Sequence, residues 1–214
     1  MQCKNPTCIQ GCPVNINIKK FIKHIADGDF SGAINTIRED NSLPAVCGRV
    51  CPQEEQCEKA CVLFKVKNPI NIGGLERFAA DWEAEHINIE VAMKEKIKDK
   101  NNNPVKVAII GSGPAGLTVA GDLAKMGYSP TIFEALHIPG GVLTYGIPEF
   151  RLPKKIVARE VEYLKKLGVE FQFNSVIGKS YTMNDLFNLG YKAIFIGVGA
   201  GTPLFLNIPG ENLT

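Results

Sequence analysis

The chain has 214 residues, 45% of them hydrophobic and 21% charged, with 24 Lys and Arg against 22 Asp and Glu for a formal charge of +2. That composition fits a soluble globular protein of one large or two small domains. No basic run interleaved with aromatics offers a nucleic-acid surface, no apolar stretch approaches the roughly 18 residues of a membrane span, and no leader segment opens the chain, so a cytoplasmic protein is expected.

In chain order, cysteine comes first. Cys3-Lys-Asn-Pro-Thr-Cys8-Ile-Gln-Gly-Cys12-Pro13 and Cys47-Gly-Arg-Val-Cys51-Pro52, followed by Cys57 and Cys61, hold all 7 cysteines of the chain. In a reducing cytoplasm such clusters bind metal or do redox chemistry, and an odd count argues against a closed set of disulfides. Structural zinc favours about two to four residues between ligands, in paired knuckles. Here the gaps are irregular, and Cys-Pro recurs at Cys12-Pro13 and Cys51-Pro52, as it does where ferredoxin cluster runs end. A 4Fe–4S cube is wider than one zinc ion and suits irregular gaps, so iron–sulfur is the preferred reading and zinc its rival. Two cubes need more ligands than 7 cysteines supply, so one ligand is another residue type or lies outside this sequence.

The same region reads as helical. Ile18, Phe21, Ile22 and Ile25 recur at helical spacing up to Gly28. Ala33, Ile34 and Ile37 mark a second helix, with Ser31 as its expected N-cap. Leu75, Phe78, Ala79 and Trp82 mark a third, and all three stripes are expected to be core. Lys94–Lys100 is mixed in sign and reads as a solvated helix end. Asn101-Asn102-Asn103-Pro104 is the expected linker, separating a helical domain (1–100) from a second domain (105–214).

After it the pattern changes. A strand over 105–110, a helix over 115–126 closed by Gly127, a strand over 130–134, an amphipathic helix over 154–167 closed by Gly168, and strands over 169–173 and 193–196 alternate as in a parallel sheet with crossovers. Gly111-Ser-Gly113-Pro114-Ala115-Gly116 sits between the first strand and its helix. This is the dinucleotide fingerprint in its proper context: a tight turn, close approach to a pyrophosphate, and close helix–strand packing. The helix N-terminus adds free N–H groups and partial positive charge. Glu134, ending the next strand, is the expected partner of the ribose hydroxyls, which favours FAD or NAD over NADP. Gly140-Gly141-Val-Leu143-Thr-Tyr-Gly146-Ile-Pro148 is a second glycine-rich stretch suited to lie flat on a ring system, with Val142, Leu143 and Ile147 as lining candidates. Gly197-Val-Gly199-Ala-Gly201-Thr-Pro203 is a third. His24, His86 and His137 read as surface or structural, and Arg151 as either a flavin or partner-domain contact or a surface salt bridge.

Cys47-Gly-Arg-Val-Cys51-Pro52 with Cys57 and Cys61, Gly111–Gly116, and Tyr145-Gly-Ile-Pro-Glu-Phe-Arg-Leu-Pro153 together resemble the glutamate synthase small-subunit family. That family includes the N-terminal part of dihydropyrimidine dehydrogenase and the large subunit of NADH-dependent ferredoxin:NADP oxidoreductase. The resemblance covers essentially the whole chain. It implies an α + α/β architecture: an all-helical domain with two 4Fe–4S clusters, then an incomplete Rossmann-like FAD domain. By resemblance, Cys3, Cys8 and Cys61 hold one cluster, whose fourth cysteine would fall before Met1. Cys12, Cys51 and Cys57 hold the other with Glu76, leaving Cys47 unligated unless it chelates together with Cys51. FAD is expected at Gly111, Gly113, Pro114, Ala115, Gly116, Glu134, Gly140, Gly141, Leu143 and Gly199. The family's NAD(P)H domain follows the point where this sequence stops, so the chain reads as a fragment, inactive on its own, of an NAD(P)H-dependent oxidoreductase. Electrons would pass between NAD(P)H, FAD and the clusters to a glutamate synthase large subunit or another redox subunit; a homo-oligomer is a further expectation. The alternatives are an electron-bifurcating ferredoxin:NADP oxidoreductase subunit and a relay or docking module without its own turnover.

Overall fold

A computed structural model describes residues 3–86, 94–201 and 206–211. The N-terminal part is built from α1 (Thr7–Gln10), α2 (Ile18–Ala26), α3 (Phe30–Asp40) and α4 (Pro44–Val50), two 3-10 turns (Gln53–Glu55 and Val62–Val66), and α5 (Ile72–His86). Asn17 caps α2 through the Lys20 amide, and Ile18, Phe21 and Ile22 bury its apolar stripe. The cap of α3 is Asp29, not the expected Ser31: the Asp29 carboxylate accepts the Gly32 amide at 2.8 Å. An ionised acid at this position also faces the positive end of the helix dipole. Pro44, with its fixed φ and no N–H to satisfy, opens α4. That helix packs closely on α5 because position 48 lacks a side chain: a Cβ there would come within 2.6 Å of the Arg77 backbone nitrogen.

Two expectations fail in this part. Phe78 and Trp82 are not core; with Phe30 they form edge-on aromatic contacts at 5.1 and 5.5 Å on a partly exposed face, where Trp82 also stacks on His86. Nor is Lys94–Lys100 a helix end. Its chain is extended, and hydrogen bonds from Val105 N to Ile97 O and from Asp99 N to Asn103 O fold Asn101–Asn103 into a tight turn. Asp99 holds that turn by accepting the amides of Asn101 and Asn103.

The second part runs β1 (Lys106–Ile110), α6 (Pro114–Met126), β2 (Ser129–Phe133), α7 (Val142–Tyr145), α8 (Lys154–Lys166), β3 (Glu170–Gln172), α9 (Met183–Asn188) and β4 (Tyr191–Ile196). The four strands form one parallel sheet in the order β3-β2-β1-β4. The two central strands are almost wholly buried, as their continuous apolar sequence requires in a sheet covered on both faces. One face packs Ile109 and Ile132 on Leu117, Ala120, Val161 and Leu164, and that core is continuous with Ile34, Ile37 and Val46 of the helical part. The other face carries Ile110, Phe133, Leu186 and Tyr191.

The junction between the parts is also polar. Arg38 of α3 forks onto Glu83 of α5 at 2.7 and 2.8 Å and reaches Glu160 of α8 at 3.3 Å, all three side chains being buried. Its guanidinium lies 3.8 Å from the ring centre of Tyr163. The other oxygen of Glu160 accepts the amide of Ala45 in the first turn of α4. Ser42 bonds Asp122 of α6, and Lys125 of the same helix donates to the Arg38 carbonyl and the Ser42 hydroxyl. The two carboxylates hold Arg38 charged by raising its pKa, whereas burial pushes the Glu160 carboxyl up.

Candidate functional site

Short, irregular backbone carries most of the cysteines, which places them by turns rather than along one helix face. Cys3 precedes α1, Cys8 lies in it, and Cys12 follows it; Cys61 precedes the second 3-10 turn. Cys3, Cys8 and Cys61 line one cleft with Pro6, Thr7, Ile18, Ile22 and Lys19. Thr7 ties the two segments by donating its hydroxyl hydrogen bond to the Ala60 carbonyl. Burial, then the proximity of Cys61, raises the Cys8 thiol above its ordinary pKa.

Cys12, Cys51, Cys57 and Glu76 form a second neighbourhood. Burial pushes the Cys57 thiol up to about 12, with Cys12 and Glu76 adding to the effect. Glu76, on α5, is 6% exposed. Its one hydrogen bond among the described residues is from Asn41 Nδ2, at 2.8 Å to Oε1. Burial, and then Cys51, push its carboxyl up to about 8. Among the described residues no cation pairs with it; the nearby guanidinium groups of Arg49 and Arg77 are taken by Asp81. A buried carboxylate with a single neutral partner is costly, and a bound metal centre would remove that cost. Cys47 stands one helical turn before Cys51 and donates its thiol toward Asn41 Oδ1 at 3.6 Å. Interaction with the neighbouring Cys47 thiol draws the Cys51 thiol down to about 7.

Among the described residues no three His, Cys, Asp or Glu side chains converge closely enough for a single metal ion. Two thiol sets separated in space, one completed by a carboxylate without a cation, fit the wider 4Fe–4S group by donor chemistry.

The glycine turn after β1 resolves into three different requirements. At Gly111 φ is +96°, and an added Cβ would lie 2.4 Å from the Gly197 carbonyl oxygen; at Gly116 it would lie 2.0 Å from the Gly111 carbonyl oxygen. Both positions are glycine because the chain packs against itself. At Gly113 an added Cβ meets nothing within 4 Å. That opening lies at the N-terminus of α6, where no side chain caps the helix and the first amides have no intrahelical acceptor. Exposed Pro114 and Ala115 stand beside it. An open cradle lined by free N–H groups fits a pyrophosphate.

Glu134 is buried at the end of β2 and is already engaged. Ser112 donates both its amide and its hydroxyl to Oε2, and Leu136 N donates to Oε1 at 2.9 Å. The carboxylate thus braces the turn, and Oε1 keeps a lone pair for a hydroxyl group. Ser112 Oγ in turn accepts the Gly140 amide at 3.0 Å, which brings the second glycine stretch to the first; a Cβ on Gly141 would lie 2.9 Å from Gly113 Cα.

Three site expectations need correction. The stretch after Gly141 is not flat but turns into the short helix α7. Leu143 points into the core rather than the cradle, and its carbonyl accepts from Lys154. Arg151 is exposed and enters no salt bridge among the described residues. Gly199 is exposed, with a φ of +71° and open space at its Cβ position, whereas Thr202 and Pro203 lie outside the described residues, as does Met1. Sequence reasoning missed Ser112 and Asn41, whose roles depend on tertiary partners; Arg38, Glu83 and Glu160 were missed for the same reason.

Comparisons with known proteins agree with this division of chemistry. Residues 1–88 match a family model described as dihydropyrimidine dehydrogenase domain II, 4Fe–4S cluster, and residues 105–214 match one described as pyridine nucleotide-disulphide oxidoreductase. The NAD-dependent dihydropyrimidine dehydrogenase subunit PreT of Escherichia coli O157:H7 is 41% identical over 207 residues, covering 95% of this chain and 48% of that protein. The NADP(+)-dependent formate dehydrogenase subunit beta of Moorella thermoacetica is 38% identical, covering 96% and 31%. The NADPH glutamate synthase small chain of Escherichia coli K12 is 36% identical, covering 93% and 41%. The chain therefore spans about half, or less, of the length of these relatives.

Proposed function

Because the chain belongs to the pyridine nucleotide-disulphide oxidoreductase family, and is 36% identical to a glutamate synthase small chain, we propose that it is the electron-transfer portion of an NAD(P)H-dependent flavin and iron–sulfur oxidoreductase. FAD would be held at the cradle of Gly113, Pro114, Ala115 and Gly116, closed by Gly111, Glu134, Gly140 and Gly141, with Gly199 alongside. One 4Fe–4S cluster would be held by Cys3, Cys8 and Cys61, the other by Cys12, Cys51, Cys57 and Glu76. When bound, the flavin supplies conversion between hydride and single electrons and the clusters supply one-electron storage. The protein's own contribution is to bind and orient. The α6 amides and dipole neutralise phosphate charge, Glu134 holds the turn in register through Ser112, and apolar walls around Cys3, Cys8 and Cys61 keep water away. No general base or nucleophile is required.

The observation that carries this reading is the polar and apolar junction between the parts. Ser42 to Asp122, Lys125 to the Arg38 carbonyl, and Ala45 to Glu160 tie α3 and the start of α4 to α6 and α8 of the nucleotide unit. Electron transfer needs such a fixed relation between centres. The domain limits of 1–100 and 105–214, and a redox subunit as partner, belong to the same proposal; the relatives are themselves named as a subunit or a small chain. Among the described residues no helix is long and apolar enough to cross a membrane.

The test is anaerobic reconstitution followed by flavin, iron and acid-labile sulfide analysis. The expected result is stoichiometric flavin with two clusters reducible by dithionite. A colourless protein with stoichiometric zinc would overturn it. Oxidation of NAD(P)H with an artificial acceptor then separates an enzyme with its own turnover from a relay module, which would reduce its clusters with dithionite yet leave NAD(P)H untouched.

A further inference from the structure

Asn41 is buried at the C-terminal end of α3 and touches both residues that compete to complete the second thiol set. Its Nδ2 donates to Glu76 Oε1 at 2.8 Å. Its Oδ1 accepts the Leu43 amide at 2.9 Å and faces the Cys47 thiol at 3.6 Å. The orientation of this amide is fixed, because a backbone N–H can only donate and so must meet the oxygen. The two ends of Asn41 therefore treat their neighbours oppositely. The nitrogen, a donor only, favours a neighbour with free lone pairs and fixes one carboxylate oxygen while leaving the other available. The oxygen, an acceptor only, favours a neighbour that keeps its hydrogen, which a metal-bound thiolate does not.

Cys47 is otherwise well placed to be a ligand. It lies four residues before Cys51, the residue that ends α4, and its carbonyl accepts the Cys51 amide at 3.1 Å. Glu76 reaches the same neighbourhood from α5. We propose that Asn41 is the positioning residue that makes the Glu76 carboxylate, and not the Cys47 thiol, the fourth donor of the Cys12, Cys51 and Cys57 set. The inference rests on the cluster reading above and adds to it how the ligand is selected.

The test uses the full chain, reconstituted anaerobically and reduced with dithionite, read by electron paramagnetic resonance, midpoint potential and iron content. Asn41→Asp keeps the acceptor for Leu43 and Cys47 but turns an oxygen toward Glu76. It is expected to change the spectrum of one centre and shift its potential negative, since a hydrogen bond that drew charge from the ligand is lost. Asn41→Leu should do the same, with circular dichroism checking that the helices remain. Cys47→Ala alone is expected to leave the spectrum unchanged, whereas Asn41→Asp combined with Cys47→Ala should lose that centre's iron and sulfide, because the replacement ligand is gone. Glu76→Gln should alter the same centre as Asn41→Asp. If Glu76→Gln alters the centre while both Asn41 variants match the parent spectrum and potential, the selection role is wrong and the cluster assignment stands. If Glu76→Gln itself changes nothing, Glu76 is no ligand and both readings fall. A spectral change from Cys47→Ala alone would also overturn the proposal, since Cys47 would already be bound.

Discussion

At the scale of single residues, the three fingerprint glycines separate fold from ligand. Gly111→Ala and Gly116→Ala each force a Cβ into a carbonyl oxygen, the first at positive φ as well. Both are expected to cost stability by at least about 2 kcal/mol, read as a lower denaturation midpoint in flavin-free protein. Gly113→Ala meets no atom and should leave that midpoint within about 0.5 kcal/mol while cutting flavin retention by tenfold or more, on the order of 1.4 kcal/mol or above. Equal flavin content in Gly113→Ala and parent protein would show that the opening holds nothing. The spacing of the motif was legible in the sequence because strand, glycines and helix adjoin. The role of each glycine was also readable from the order of the motif; what crowds Gly111 was not, because Gly197 lies far along the chain. Glu134 illustrates the same limit: its place at the strand end was readable, its grip on Ser112 was not.

At the scale of elements, caps and hydrophobic period were unevenly informative. The alternation of strand and helix after residue 105 was visible because β1 and β2 are continuous apolar runs and α8 is strongly amphipathic. Helix α4 was invisible: Pro44, Cys47 and Gly48 give poor helix propensity, and the helix persists through its packing on α5 and its bond to Glu160. Asp29 was not legible as the cap of α3, because Ser31 is an equally good cap by residue type and only the backbone angles decide between them. Helix α9, also unread, begins with a full capping box in which Thr182 and Asp185 satisfy each other's backbone amides. Those bonds hold the Asp185 carboxyl below its ordinary pKa. A carboxyl depressed in the fold stabilises above its unfolded pKa and loses that contribution as pH falls. Asp185→Asn should therefore melt below the parent at neutral pH, and the gap between the two melting temperatures should close as pH drops below about 4. An unchanged gap at low pH would place the effect elsewhere.

At the scale of the whole molecule, the parts are held by a buried cation between two carboxylates. Arg38, Glu83 and Glu160 lie on three helices, with sequence separations of 45 and 122 residues from Arg38, so no local pattern announces them. Arg38→Met leaves both acids buried without their main counter-charge and should cost about 3–5 kcal/mol. Urea unfolding is expected to split from one transition into two as the junction weakens. Glu160→Gln keeps an acceptor for Ala45 and should cost less, about 1–2 kcal/mol. A single unshifted transition in Arg38→Met would show that the apolar core alone joins the parts. The last strand has a different consequence. Among the described residues β4 is the terminal member of its sheet, with one line of peptide groups unpaired, and Ile196, Val198, Leu189 and Phe187 stand out beside it, each at least half exposed. A bare rim of that kind recruits any extended polypeptide, including its own copies. Purified material should scatter more light as it is concentrated, and a lysine in place of Ile196 should keep it clear.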